Sequence, residues 1–393
     1  MKVAIDAVGI RGHGGAAVLC ELLHWLPIMR PGWDWHVFLF ERSLREFDDP
    51  AVSEKVTLEH VALGDNGRQR LEWVNQHLPA RVRNLNADTL FSFANIAPVE
   101  VNSPKIVFCH QSNAFFGEGI PLSMLFKRAR LWFMRRQILR GARASRALIV
   151  QTDTMRERIE QVEPNLKGRI YVIPSCYRTP PEKPAVREEV RQAIESASHP
   201  RLIYVSHPSE HKNHLALVKA LPLIVRQKPT ARLLFTLDQS RLVNGRYNGF
   251  VHQIQAEAEH QGVAEHVVWL GQLTPDEVDF ALRSSDMMVF PSLAESFGLG
   301  LVEAMAAGCP IAAADLPYAH DVCGDAAIYF DPKDPNAIAQ AVITVCESKT
   351  EATHLRSLGL ERKKRFSYET IAEEIARVLE RAPAVTFPSC VAM

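Results

Sequence analysis

The chain has 393 residues, 47% of them apolar and 23% charged, and its 45 basic and 45 acidic side chains cancel to a formal net charge of zero. That length allows two domains of ordinary size, and that balance excludes a global field drawing the protein toward nucleic acid. No stretch approaches the ~18 unbroken apolar residues of a membrane span, and the opening MKVAIDAV is a strand signal rather than a signal peptide. Seven scattered cysteines without a CxxC pair point to a reducing compartment and to neither a disulfide framework nor a zinc knuckle, so a cytoplasmic protein is expected.

Short β-branched and aromatic runs alternate with stretches of helical period from end to end. In the first half the strands are VAIDAV, WHVFLF, VTLEHVAL, TLFSF, KIVFCH, ALIVQT and RIYVIP. In the second half they are RLIYVSH, RLLFTL, HVVWLG, MMVFPS, PIAAAD and AIYFDP, with helices such as HLALVKALPLIVRQ and DEVDFALRSS between them. This alternation predicts an α/β protein whose parallel sheets are covered on both faces. Residues 178–200 combine prolines with dense charge and no strand, which reads as a linker carrying a short helix. The expected organisation is an N-terminal Rossmann-like domain over 1–178, a linker over 179–198 and a second such domain over 199–365. The final segment, 366–393, holds a helix expected to pack back on the first domain, and a tail.

Near the start, Gly12-x-Gly14-x-x-Ala17 fits the glycine pattern that cradles a dinucleotide pyrophosphate. In that motif the first glycine follows the strand almost at once, with an acidic residue ~20 positions on. Here Gly12 lies several residues beyond the strand and Glu41 comes late, which argues against a dehydrogenase. Further on, KIVFCHQSNAFF sets His110 at the carboxyl end of a strand, as a core or capping residue or as a side chain facing a ligand cleft.

From Gly119 to Thr152 there is no acidic residue but eight basic ones: Lys127, Arg128, Arg130, Arg135, Arg136, Arg140, Arg143 and Arg146. Leu122, Leu125, Phe126, Trp132, Phe133, Met134 and Ile138 are interleaved with them. Such a segment, 121–146, is either a core helix with a solvated basic face or a surface for anionic headgroups.

In the second half, His207, His211 and His214 have a spacing that could ligate zinc, but no carboxylate or cysteine completes the set nearby, and no metal is predicted. The richest segment is PSLAESFGLGLVEAMAAGCP, residues 291–310. Ser296 is placed as an N-cap, and Gly308 and Pro310 close the helix. Glu295 stands just before the helix and Glu303 inside it, ~10 Å apart if the rise is helical throughout. Between them the amides around Phe297, Gly298 and Leu299 favour an anion, and Gly298 and Gly300 would let a ligand approach the backbone. A carboxylate beside a phosphate would repel it, so the glutamates should accept from hydroxyls. The ligand so described is a diphosphate between two hydroxyl-bearing rings, as in a nucleotide sugar.

FPSLAESFGLGLVEAMAAGCPIAAADLP followed by GDAAIYFDPKDPNAIAQAV strongly resembles the retaining GT-B glycosyltransferases of family GT4. The resemblance implies two Rossmann-like, doubly wound domains facing a cleft, a nucleoside-diphosphate sugar as co-substrate and no metal cofactor, consistent with the lack of an Asp-x-Asp. It implies that Glu295 touches the transferred sugar and Glu303 the ribose. Members commonly clamp the diphosphate with Arg-x4-Lys; here Lys212 stands at the lysine and His207 replaces the arginine. A histidine matching His110 contacts the sugar, and a glycine pair matching Gly14-Gly15 opens the first helix, where its N–H groups approach donor phosphate or acceptor. Asn95, in the segment leading to the His110 strand, would lie near the acceptor.

The implied activity is transfer of a hexose, mannose from GDP-mannose being favoured, to a glycan or lipid-linked acceptor in surface polysaccharide or lipopolysaccharide synthesis. Catalysis would fall to Glu295, His110 and Lys212. Many members bind membranes peripherally, which favours the membrane reading of 121–146. A UDP-hexose donor, a sugar-nucleotide epimerase of the same fold and a non-catalytic glycan-binding protein are the alternatives. The terminal Cys390-Val-Ala-Met formally matches a prenylation box but lacks upstream basic residues.

Overall fold

Runs such as ALIV, MMVF and IAAA are apolar at every position, and KIVF at every position but Lys105, the pattern of strands buried on both faces of a parallel sheet. In the computed structural model all four are buried along their whole length. The structure describes residues 1–10, 13–41, 54–63, 66–116, 125–178, 184–239 and 246–381.

The chain divides into two units: Met1–Cys176 together with Ser367–Met393, and Tyr177–Phe366. In the first, β1 (Lys2–Asp6), β2 (Asp34–Phe40), β3 (Thr57–Val61), β4 (Thr89–Ser92), β5 (Lys105–Phe108), β6 (Ala147–Val150) and β7 (Ile170–Val172) pair in the order β3-β2-β1-β4-β5-β6-β7. Every pairing is parallel, with Val3 of β1 opposite Trp35 of β2 on one side and Thr89 of β4 on the other. In the second, β8 (Arg201–Tyr204), β9 (Arg232–Phe235), β10 (Val267–Trp269), β11 (Met287–Phe290), β12 (Ile311–Ala314) and β13 (Ile328–Phe330) pair, also in parallel, in the order β10-β9-β8-β11-β12-β13. Both orders reverse beside the first strand, at β1/β4 and at β8/β11. In open α/β sheets the crevice at that reversal, beyond the strands' carboxyl ends, is where ligands bind.

Segment 184–198 is not a free linker. Its helix Glu188–Glu195 buries Val190 and Ile194 in the core of the second unit. Arg187 grips Glu277 through Nε (2.6 Å) and Nη2 (2.8 Å), holding that carboxyl well below the usual range. The prolines and charges that looked like solvated linker are thus spent partly on ion pairs to helix Pro275–Arg283; residues 179–183 lie outside the described residues. The last helix, Tyr368–Arg381, belongs to the first unit. Arg30, just beyond helix His13–Met29, donates to Glu373 (2.9 Å) and Glu380 (3.0 Å) on it. The CVAM tail and Gly12 fall outside the described residues.

Candidate functional site

The reversal in the second sheet is built by the loops that follow β8 and β11. After β8 the chain makes a short 3-10 turn, Glu210–Lys212, then Asn213 with φ 59° in the left-handed region, and only then helix His214–Gln227. Tyr204 Oη donates to Lys212 O (2.8 Å), and Leu293 N donates to His211 O (2.7 Å). Asn213 Nδ2 donates to Pro291 O (3.2 Å) and Pro332 O (2.8 Å). Tyr318 Oη donates to Ser292 O (2.6 Å), so the loops after β8, β11 and β13 are tied at the backbone. In this frame Lys212 Nζ lies 2.6 Å from Glu295 Oε1, with 12% and 11% of the two side chains exposed. Two residues separated by 83 positions meet above the sheet.

Helix Leu299–Ala307 starts later than the sequence suggests. Its N-cap is Gly298, not Ser296, at φ 93° and without a side-chain capping bond. A left-handed cap is a conformation glycine adopts without strain, so the SFG turn stays irregular and helical rise begins only at Leu299. The ~10 Å axial spacing expected for Glu295 and Glu303 therefore does not apply. Leu301 N donates to Gly298 O (2.9 Å), while Leu299 and Gly300 are first-turn amides with no acceptor inside the helix. Phe297 is not part of the helix; its side chain is buried against Phe366. Gly300 also serves packing. A Cβ there would meet Met288 Cε at 3.1 Å and Phe290 Cε2 at 3.5 Å, so the missing side chain lets the helix lie close on β11.

Glu303 sits in the second turn and lines a small pocket with Tyr177, Arg178, Pro275, Val278, Asp279 and Leu282. Burial, helped by the Asp279 charge, pushes its carboxyl up to about 7. Of the three histidines, His214 is a core residue. Its ring lies 4.9 Å from that of Tyr204, and Ser206 Oγ pairs with its Nε2 at 2.8 Å. His207 is exposed, with its ring edge-on to His211 at 6.0 Å. Desolvation in the loop, then the Lys212 charge, lower His207 to about 4, so at neutral pH it is an uncharged hydrogen-bonding group and not a stand-in for arginine's charge.

In the first unit His110 follows β5, its ring between Phe108 (4.1 Å) and Phe93 (4.7 Å). Burial lowers its imidazole to about 4, and its Nε2 has no hydrogen-bond partner among the described residues. Asn95, at φ 71°, accepts from His110 N through Oδ1 (2.6 Å), so it orients that loop. Gly14 and Gly15 lie in the first turn of helix His13–Met29; among the described residues nothing stands within 4 Å of where a Gly14 Cβ would be, while a Gly15 Cβ would touch Ile10 at 3.4 Å.

Sequence reasoning passed over Asp6 and Arg70. Asp6 ends β1, wholly buried, and accepts from Arg70 (3.0 and 2.6 Å) and from Trp73 Nε1 (3.1 Å). An acidic residue inside an otherwise apolar strand was the available signal.

Residues 186–362 match the family model described as glycosyl transferases group 1. A phosphatidyl-myo-inositol mannosyltransferase of Mycobacterium leprae is 34% identical over 146 residues, 36% of this chain and 38% of that protein. An O-antigen chain mannosyltransferase B of Escherichia coli is 25% identical over 190 residues, 48% of each chain. The match thus spans less than half the length of either relative. Among solved structures, Anabaena HepE in complex with UDP superposes with a TM-score of 0.70 at 19% identity, over 96% of this chain and 99% of that one. Residues 186–362 are thus similar to glycosyl transferases group 1, and the chain has the GT-B fold, two Rossmann-like units of parallel sheet.

Proposed function

We propose that the protein is a retaining glycosyltransferase that moves a hexose from a nucleoside-diphosphate sugar to a glycan or lipid-linked acceptor. Mannose from GDP-mannose is the favoured donor chemistry, and surface polysaccharide or lipopolysaccharide assembly the setting. The observation that carries this reading is the meeting of Lys212 and Glu295 at the β8/β11 reversal, beside the first turn of the helix that bears Glu303. Lys212 and the Leu299 and Gly300 amides, with the positive helix end, meet the departing diphosphate, and preorganised charge of this kind acts where charge develops. Glu295 accepts from the transferred sugar and Glu303 from the ribose. His207 supplies a neutral hydrogen bond, and the Phe297–Gly298 turn shapes the approach.

His110 is assigned to the sugar through its Nε2, and the Gly14-Gly15 backbone, open at Gly14, to phosphate or acceptor. This scheme draws its leaving-group charge from the chain alone, without a divalent ion. The similarity to two proteins named as mannosyltransferases favours mannose. UDP in the HepE complex favours the second reading, a UDP-hexose donor.

The same proposal includes peripheral contact with anionic membrane. On helix Leu125–Arg143, Phe126 is 94% exposed, Leu125 65% and Trp132 54%, on the face opposite buried Leu131, Ile138 and Ala142. Arg136 and Arg140 continue that exposed face, pairing aromatic insertion with phosphate contact. No helix among the described residues is long and apolar enough to cross a membrane.

A thermal-shift screen over GDP-, UDP-, ADP- and dTDP-sugars tests the donor. A true donor raises the melting temperature, and Glu303→Ala abolishes that shift. Product analysis with donor alone separates transfer from epimerisation, and a protein that binds no nucleotide sugar refutes the reading.

A further inference from the structure

The two groups assigned to different parts of the donor hold each other: Lys212 Nζ stands 2.6 Å from Glu295 Oε1, largely out of solvent. That contact uses one of the three Lys212 N–H donors and one Glu295 oxygen, and its charge attraction draws the ammonium toward the carboxylate and away from a phosphate. The backbone on both sides cannot follow a change of partner. Lys212 N donates to Ser209 O (3.0 Å), Tyr204 holds Lys212 O, and Asn213 and Leu293 fasten the two loops together. Exchange must therefore be a rotation of two side chains over a short distance. The Phe290 ring, 6.0 Å from Nζ, offers Lys212 an apolar wall along the way.

We propose that Glu295 has a second role at the end of the catalytic cycle: once the sugar has left, it recaptures Lys212 and lowers the affinity of the site for the nucleoside diphosphate left behind. This rests on the donor-site reading above. With donor bound, sugar hydroxyls donate to Glu295 while Lys212 pairs with the diphosphate. After transfer the nucleotide product offers Glu295 no hydroxyl from a sugar, and two negative groups compete for one ammonium. Re-formation of the Lys212–Glu295 pair withdraws the cation from the product's phosphates and favours release. No covalent step is involved; the ammonium only changes its partner.

Titration calorimetry with GDP and with UDP, neither carrying a sugar, tests this on the full chain and on Glu295→Gln, Lys212→Ala and the double variant. Glu295→Gln should bind the cognate nucleotide on the order of tenfold more tightly than the native chain, the scale of one partly desolvated charge pair. Lys212→Ala should bind it more weakly, and adding Glu295→Gln to Lys212→Ala should change nothing further. The isosteric glutamine keeps the fold, and melting curves of all four proteins verify that. Unchanged or weaker binding by Glu295→Gln overturns the proposal. So does a tightening that persists without Lys212, because Glu295 would then repel phosphate directly. Failure of the native chain to bind either nucleotide, or any other nucleoside diphosphate, refutes the donor-site reading itself and is recognisable as such.

Discussion

The two sheets carry the same strand reversal, and the charged pairs placed there are built to opposite ends. At β1/β4, Asp6 is fully buried and clamped by both Arg70 nitrogens and by Trp73. Even the neighbouring Gly9 is required, since a Cβ there would meet Ala94 Cβ at 2.8 Å and Arg70 Nε at 3.0 Å. At β8/β11, Lys212 meets Glu295 through a single nitrogen–oxygen hydrogen bond, on loops whose backbones are tied together. A buried bidentate pair is costly to break and serves as a lock, whereas a single-point pair can change partners. The same topology therefore yields a structural crossover in one unit and an exchangeable charge in the other.

The sharpest way to break this comparison is to remove one cation from each pair. Arg70→Met strands a wholly buried Asp6 and should cost about 3–5 kcal/mol in denaturant unfolding, while Lys212→Met leaves Glu295 with 11% of its side chain in contact with solvent and should cost less. Equal losses would erase the distinction between lock and exchangeable pair. The functional counterpart is that Lys212→Ala should lower kcat for transfer by roughly 100–1,000-fold, as losing a preorganised donor to the leaving group does. The folded fraction of an Arg70 variant should keep its kcat.

A smaller effect separates packing from binding within the helix that follows β11. Gly300→Ala should lower stability by about 1–2 kcal/mol, because Met288 and Phe290 occupy the space, with nucleotide affinity unchanged. An affinity loss without a stability loss would restore the ligand-approach role that the sequence suggested.

The smallest effect is on pH dependence. Hydroxyls that donate to Glu303 favour its carboxylate, and burial holds that carboxyl near 7 rather than in the ordinary range. Binding then releases a proton from the fraction still protonated, so affinity should rise with pH up to about 7 and level off above it. The rise, a few-fold between pH 6 and 8, should vanish in Glu303→Gln. A rise that persists in the variant would assign the titration elsewhere.

The strands were legible throughout, because most are short apolar or β-branched runs bounded by turn residues, and the helix HLALVKALPLIVRQ was legible as a 3.6-residue period closing on the helix His214–Gln227. Boundaries that depend on one backbone angle were not. Ser296 has the chemistry of an N-cap, yet the left-handed Gly298 takes the position. Residues 184–198 have the composition of a linker, yet Arg187, Val190 and Ile194 fasten them to the second unit, since composition does not reveal a partner 90 positions away. The spacing of His207, His211 and His214 was legible as a poor zinc site, but that His214 packs in the core against Tyr204 was not.

By itself the sequence determined the α/β class, the order of strands and helices and the residue types able to hold a diphosphate between hydroxyls, because these depend on periodicity and on local spacing. Only the tertiary structure decided that Lys212 and Glu295 hold each other, that Gly300 serves packing and that Asp6 is locked by Arg70. Those outcomes depend on which distant loops the parallel sheets bring together at their reversals, and no local pattern encodes a contact between residues so far apart in the chain.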